Sequence, residues 1–135
     1  MSGFVIDASV LATWFLEDET DARVEFLVES LARLGACSPS LFFFEIRNAL
    51  LVNERRRRVT AAQSAEFVRE LSRMRIRLES PRQDVDLLAL ARERKLTVYD
   101  AAYLELAVRE GLPLATLGRA LEKAAIAEGV ALLSG

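Results

Sequence analysis

The stretch that decides the fold is Phe4-Val5-Ile6-Asp7-Ala8-Ser9-Val10-Leu11. Three apolar residues that favour strands are followed at once by polar residues that can cap a helix, and apolar residues then continue to Leu16. This pattern predicts a buried strand, a sharp turn and a helix. A strand that leads directly into a helix is typical of chains whose strands pair in parallel.

The rest of the chain repeats the alternation of strand and helix. Further helices are predicted over residues 21–34, 40–57, 60–74, 85–94, 97–110 and 119–128, and further strands over residues 36–38, 76–78, 112–117 and 130–133. Asp84 is predicted to cap the helix that begins at Val85, and Thr97 and Asp100 have the spacing of a capping box. We therefore expect one α/β domain over residues 1–135, with three layers and a parallel sheet of four to five strands flanked by helices.

Composition excludes several classes of chemistry. The 135 residues are 52% hydrophobic, contain no histidine and include one cysteine, Cys37. Ser/His/Asp hydrolases, Cys/His proteases, zinc sites of the usual ligand types and an intramolecular disulfide are therefore excluded. No apolar run approaches the ~18 residues that span a bilayer. A soluble cytoplasmic protein without membrane association is the expectation.

Positive and negative charges are segregated along the chain. The whole sequence has 18 basic and 20 acidic residues, yet the segment from Arg47 to Arg94 contains 12 arginines and only 7 acidic residues. Part of this excess is the run Arg55-Arg56-Arg57-Arg58. The run suits either a solvated helix end, where it is favourable to the helix dipole, or a surface that binds phosphate or another partner.

Three acidic residues stand where a carboxylate needs an explanation. Asp7 follows the first strand, at the end of a parallel sheet where ligands bind, although it can also simply cap the next helix. Glu45 follows Leu41-Phe42-Phe43-Phe44, and its helical neighbours are apolar, so an ionised Glu45 needs a distant arginine or a metal as its partner. Asp100 opens a helix, and capping with Thr97 accounts for it only on its own.

Taken together, Asp7, Glu45 and Asp100 predict a metal site at one edge of the sheet. Two carboxylates ~5 Å apart repel by about 3 kcal/mol at an effective dielectric of 20, a cost that a divalent cation reverses. Ligands that are all oxygen favour Mg²⁺ or Mn²⁺. In a chain without histidine, water activated by such a cation is the most economical nucleophile, and hydrolysis of phosphodiesters is the reaction that these sites typically serve.

Four segments of the chain form an ordered set of motifs: Val5-Ile6-Asp7-Ala8-Ser9-Val10-Leu11; Ser38-Pro39-Ser40-Leu41 through Glu45 with Asn48-Ala49-Leu50; Val98-Tyr99-Asp100-Ala101-Ala102-Tyr103-Leu104; and Pro113-Leu114-Ala115-Thr116-Leu117. In this order they resemble the successive motifs of PIN-domain ribonucleases, and among these the VapC-type toxins of toxin-antitoxin pairs. No single motif is specific, but their order and spacing together are, and they cover nearly the whole chain.

The resemblance implies a Mg²⁺-dependent endoribonuclease toxin that a cognate antitoxin neutralises, with RNA as substrate and a homodimer as the expected assembly. It matches Asp7, Glu45 and Asp100 to the family's catalytic, metal-holding acids, and Ser9 and Thr116 to substrate-binding positions. Where the family usually has a fourth Asp, this chain has Gly118. We therefore expect impaired catalysis, with Glu122 one helical turn further on as the candidate substitute.

Two other functions remain open at this stage. Gly118 in place of an acid favours a catalytically silent module that binds RNA or the antitoxin. A phosphotransfer or receiver domain with Asp7 as the phosphate acceptor is the third hypothesis, although Lys95 and Lys123, the only lysines, do not follow strands as such a site requires.

Overall fold

The computed structural model describes residues 3–16 and 21–134. Within these ranges the chain forms four strands and seven helices. The strands are β1 (Phe4–Ile6), β2 (Ala36–Pro39), β3 (Ile76–Glu79) and β4 (Leu114–Ala115). The helices are α1 (Ala8–Leu16), α2 (Ala22–Leu34), α3 (Leu41–Arg55), α4 (Ala61–Ser72), α5 (Leu87–Arg94), α6 (Val98–Glu110) and α7 (Arg119–Ala127).

The strands form one parallel sheet in the order β3-β2-β1-β4. Phe4 of β1 is paired with Ala36 of β2 on one side, and Val5 is paired with Leu114 of β4 on the other. The chain order thus reverses at β1, because the next strand in sequence lies on one side of it and the last strand on the other. Open α/β sheets bind ligands beyond the carboxyl end of such a strand, which here is the position of Asp7.

Helices cover the sheet and enclose β1, whose three residues are fully buried. One group of helices comprises α1, α2 and α3, which contact one another through α1, while α6 contacts α5, α7 and the three strands β1, β2 and β4. Phe67 of α4 completes the core against Phe15 of α1, with their ring centroids 4.4 Å apart. The predicted α/β, three-layer fold with its parallel sheet is confirmed. None of the helices in the described ranges is long and apolar enough to span a membrane.

Two local predictions were wrong. Residues 130–133 do not form a fifth strand, because only Leu132 makes a parallel bridge, to Leu114. Asp84 does not cap α5, since it is paired with Arg82, and the cap is Asp86, whose carboxylate accepts a hydrogen bond from the Ala89 N–H at 3.0 Å. The hydrophobic pattern decides neither how far an apolar segment pairs with the sheet nor which of two nearby aspartates caps a helix.

The strand predicted over residues 112–117 is shorter than expected. Only Leu114 and Ala115 pair with β1, where the Asp7 N–H donates to the Ala115 carbonyl at 2.9 Å. The chain then leaves the sheet at Thr116, whose hydroxyl accepts a hydrogen bond from the Gly118 N–H at 3.0 Å. This turn brings the beginning of α7 beside the end of β1.

Candidate metal centre

Asp7 occupies the junction of β1 and α1, and its side chain is buried at 8% exposure. Its Oδ2 accepts two hydrogen bonds, one from the Ser9 hydroxyl at 2.8 Å and one from the Thr116 hydroxyl at 2.6 Å. The hydroxyl donors partly replace the water that the carboxylate loses on burial. Both donors are side-chain hydroxyls and not backbone N–H groups of α1, so these hydrogen bonds do not cap the helix, which was the alternative interpretation of Asp7.

Ser9 and Thr116 tie Asp7 to the end of β4. The Ser9 hydroxyl also accepts a hydrogen bond from the Leu117 N–H at 3.2 Å, so that it joins α1 to the β4–α7 turn. Thr116 is buried at 2% exposure and donates its proton to Asp7. In this arrangement both hydroxyls orient Asp7, and contact with a substrate stays a prediction for them.

Glu45 is half-buried on α3, one turn from the helix start. Its Oε1 accepts a hydrogen bond from the hydroxyl of Tyr103 at 2.6 Å. Burial raises the pKa of Glu45, the Tyr103 hydrogen bond opposes that rise, and the negative charges of Asp7 and Asp100 add to it. Among the described residues no arginine or lysine pairs with Glu45, so its partner is a neutral hydroxyl rather than the distant cation considered from the sequence.

Asp100 lies in the first turn of α6, and half of the expected capping box is present. The Thr97 hydroxyl accepts a hydrogen bond from the Asp100 N–H at 3.0 Å, while the Asp100 carboxylate is not bonded back to Thr97. Burial raises the pKa of Asp100, and the charge of Asp7 raises it further, although a helix N-terminus normally favours a negative charge. The carboxylate therefore carries an electrostatic cost that capping does not explain.

The structure brings Asp7, Glu45 and Asp100 near enough that the charges of Asp7 and Asp100 raise the pKa of Glu45 and the charge of Asp7 raises that of Asp100; their role as metal ligands stays a prediction. They come from β1–α1, α3 and α6, and Tyr103 lies on the same face of α6 as Asp100 because the two are three residues apart. Nevertheless, no three acidic or cysteine side chains in the described ranges converge closely enough to hold a metal ion as they stand. The donor set fits a hard divalent cation, because it supplies only oxygen ligands and a concentrated negative charge without a protein cation.

At the fourth position, Gly118 is the N-cap of α7 and provides no side-chain cap. Its φ of −82° and ψ of 123° suit any residue, and a Cβ there would meet Thr116 Oγ1 at 3.5 Å, an ordinary contact. Glu122, the candidate substitute, is paired with Arg23, whose Nη2 donates to Glu122 Oε2 at 2.7 Å and to the Thr116 carbonyl at 2.9 Å. The Glu122 carboxylate is thus bound to an arginine instead of pointing to the acidic cluster.

Comparisons with known proteins decide the family. The family model described as PIN domain matches residues 4–127. The chain belongs to the PIN domain family. This PIN domain is 31% identical over 120 residues to a protein named Ribonuclease VapC3 from Pyrobaculum aerophilum, a match that covers 87% of this chain and 90% of the relative. It also resembles the crystal structure of PAE2754 from Pyrobaculum aerophilum, with a TM-score of 0.71 and 27% identity over 91% of this chain and 84% of that one.

Two residues that the sequence patterns did not identify as site residues, Tyr103 and Arg23, contact the site of this PIN domain. Tyr103 is fully buried and hydrogen-bonded to Glu45, and a hydroxyl three residues after Asp100 on an apolar helix was the signal available for it. Arg23 reaches the β4–α7 turn from α2, a contact between residues 93 apart in sequence that no local pattern indicates.

Proposed function

We propose that this PIN domain, a single domain over residues 1–135, is a Mg²⁺- or Mn²⁺-dependent endoribonuclease and the toxin of a toxin-antitoxin pair. The observation that supports the proposal is that the charges of Asp7 and Asp100 raise the pKa of Glu45, while no arginine or lysine of the described residues forms an ion pair with any of the three carboxylates. A protein keeps such a costly cluster for a cation-dependent reaction rather than for stability. The similarity to a protein named Ribonuclease VapC3 supports RNA as the substrate.

In the proposed mechanism, Asp7, Glu45 and Asp100 would hold the divalent cation. When bound, the cation lowers the pKa of water and neutralises charge on the phosphate. Ser9 and Thr116 fix the Asp7 carboxylate, and Tyr103 fixes that of Glu45, so these ligands are oriented before substrate binds. Water attacks the phosphorus as the bond to the 3′-oxygen breaks, and the products carry a 5′-phosphate and a 3′-hydroxyl.

Gly118 is proposed to attenuate this activity. An aspartate at the N-cap of α7 would add a fourth carboxylate beside Thr116, which is itself bonded to Asp7. Without it, a second cation or the attacking water has one ligand fewer. Glu122 does not fill the gap, because Arg23 binds its carboxylate.

We propose two protein partners, a second copy of the chain and a cognate antitoxin. Several large apolar side chains are exposed, among them Phe44 at 70% on α3 and Tyr99 at 63% on α6. A groove of about 240 Å³ is lined by Tyr99 together with Pro39, Leu41 and Val98, mainly through apolar atoms. Exposed aromatic residues of this kind are typical of protein interfaces.

We further propose that the protein acts in the cytoplasm, because its proposed RNA substrate and antitoxin would be found there.

The second candidate is a catalytically silent module that binds RNA or the antitoxin, which the missing carboxylate at Gly118 favours. The two candidates differ in turnover. We expect purified, antitoxin-free protein to cut RNA with Mn²⁺ or Mg²⁺ and not with chelator, and the matched Asp7→Asn variant, which keeps acceptors for Ser9 and Thr116, to be inactive. RNA binding without any metal-dependent cleavage would instead select the silent module.

A further inference from the structure

The arginine run of residues 55–58 ends α3 in a way that puts four positive charges on the surface. Arg55, Arg56, Arg57 and Arg58 are all exposed. Six other arginines of the described chain form ion pairs, but these four form none within the ranges that the structure describes. Four adjacent arginines that no acidic side chain of the described residues pairs with form a concentrated positive patch, and such a patch attracts a polyanion even on a protein of net charge −2.

The backbone of the run is an arginine version of a turn that glycine usually makes. Arg57 has a φ of 59°, its N–H donates to the Glu54 carbonyl, and the Arg58 N–H donates to the Asn53 carbonyl at 2.9 Å. These two hydrogen bonds define a Schellman motif, in which the left-handed residue is most often glycine. A non-glycine residue in this conformation is strained, and the turn directs the Arg57 side chain away from the axis of α3 at its exposed end.

The turn is also held in place from beneath. Asn53 is buried, its amide donates to the Ala49 carbonyl at 2.7 Å, and its Oδ1 accepts from Arg58 Nη1 at 3.0 Å. The guanidinium of Arg58 is therefore fixed against the helix. Lys95 is the other non-glycine residue with positive φ in the described ranges, and Glu93 interrupts the basic residues around it.

The arginine run lies along the same helix as Glu45 of the acidic cluster. Arg56 follows Glu45 by eleven residues, which on an α-helix places the two on the same face, about 16 Å apart along the axis. An RNA strand whose phosphodiester lies at the cluster would reach the run within a few nucleotides.

We infer that the arginine run binds phosphates of the RNA strand flanking the cleavage site, an inference that rests on the proposed function. RNA is favoured over a protein partner because residues 54–58 carry no large apolar side chain, whereas interface cores between proteins are depleted of charge and rich in aromatic residues. The exposed aromatic residues of α3, Phe43 and Phe44, lie at the opposite end of the helix. Phosphate contacts of this kind give affinity and salt dependence, not sequence choice.

The test measures binding of a short single-stranded RNA of mixed sequence, in chelator, over a potassium chloride titration. The double variant Arg56→Ser/Arg57→Gly removes two charges and keeps the left-handed turn, so its melting temperature should not fall below that of the wild type. We expect the slope of log affinity against log salt to become shallower by about 1.4, since each contact with a single strand contributes about 0.7.

The matched control is Arg33→Ser/Arg75→Ser, which removes the same charge from exposed residues beside the amino ends of β2 and β3, at the opposite edge of the sheet. It should keep the wild-type slope. An unchanged slope in the Arg56/Arg57 variant would overturn the inference, and so would weaker binding to purified antitoxin with unchanged RNA binding. Because this binding is measured in chelator, it is independent of turnover: a shallower slope would support this surface even if the separate cleavage assay with Mn²⁺ or Mg²⁺ refuted the proposed nuclease.

Discussion

In the part of the chain that the structure describes, two hydroxyl groups hold the Asp7 carboxylate in place and no arginine or lysine pairs with it. Ser9 and Thr116 bind one oxygen of the carboxylate, and Tyr103 does the same for Glu45. Neutral donors orient carboxylates without cancelling their charge. The cluster thus retains the negative potential that a divalent cation requires.

Gly118→Asp should increase metal-dependent RNA cleavage by at least about tenfold, an effect of about 1.4 kcal/mol on the barrier. The position has ordinary backbone angles and room for a Cβ, so the variant should fold normally. Gly118→Asn is the control, because it supplies a comparable helix cap without the charge. Equal activity of Gly118→Asp and Gly118→Asn would contradict the role given to the missing carboxylate.

Asp100→Asn should stabilise the metal-free protein at pH 7 by about 1 kcal/mol or less at low salt. The pKa of Asp100 is raised in the fold, so the folded state binds this proton more tightly than the unfolded state does. The associated stability is present below the ordinary Asp pKa of about 3.9 and is lost as pH rises through the raised value. Thermal melts in chelator should therefore show an advantage for Asp100→Asn at pH 7 that disappears towards pH 4. A destabilised variant at pH 7 would contradict this account.

Among the secondary-structure elements, the local sequence pattern predicts the four strands and seven helices that form, while long-range contacts decide their ends and side-chain partners. The junction at Asp7 follows from three apolar residues and two capping residues. Tyr103 and Arg23 could not be assigned in the same way, because the partners of Tyr103 and Arg23 lie 58 and 93 residues away. The prediction of a strand over residues 130–133 was wrong for a related reason. These residues would have to pair with β4, which is only two residues long.

The assignment of Asp86, and not Asp84, as the cap of α5 can be tested by substituting each residue. Asp86→Ala should lower the stability by about 1 kcal/mol, because it removes the side chain that binds the Ala89 N–H. Asp84→Ala should leave the melting temperature nearly unchanged, since Asp84 forms only an exposed pair with Arg82. The reverse order in denaturant titrations would show that Asp84 is the true cap.

At the scale of the whole molecule, charge and apolar surface are divided along α3. Its first turn carries Phe43 and Phe44, whose rings contact each other with centroids 5.2 Å apart, and its last turn leads into the arginine run. One end suits a protein partner and the other suits a polyanion. Glu45 directly follows Phe44, so a protein partner bound at the apolar end would lie near the acidic cluster.

The apolar end predicts the oligomeric state. Phe44→Asp should convert the proposed dimer to a monomer in light scattering coupled to size exclusion, because it places a charge in the interface. Ile126→Asp on α7 is the matched control, since Ile126 is 67% exposed and Phe44 70%. A wild-type monomer, or a dimer that survives Phe44→Asp and dissociates with Ile126→Asp, would place the interface elsewhere.

Calorimetric titration of the metal-free protein with Mn²⁺ tests directly whether Asp7, Glu45 and Asp100 hold a divalent cation. We predict that wild type binds the ion and that Asp7→Asn and Asp100→Asn each weaken binding by at least about tenfold, because each removes an ionised oxygen ligand. Glu122→Gln should bind like the wild type, since its carboxylate is paired with Arg23 outside the cluster. Equal Mn²⁺ affinity in wild type, Asp7→Asn and Asp100→Asn would contradict the account.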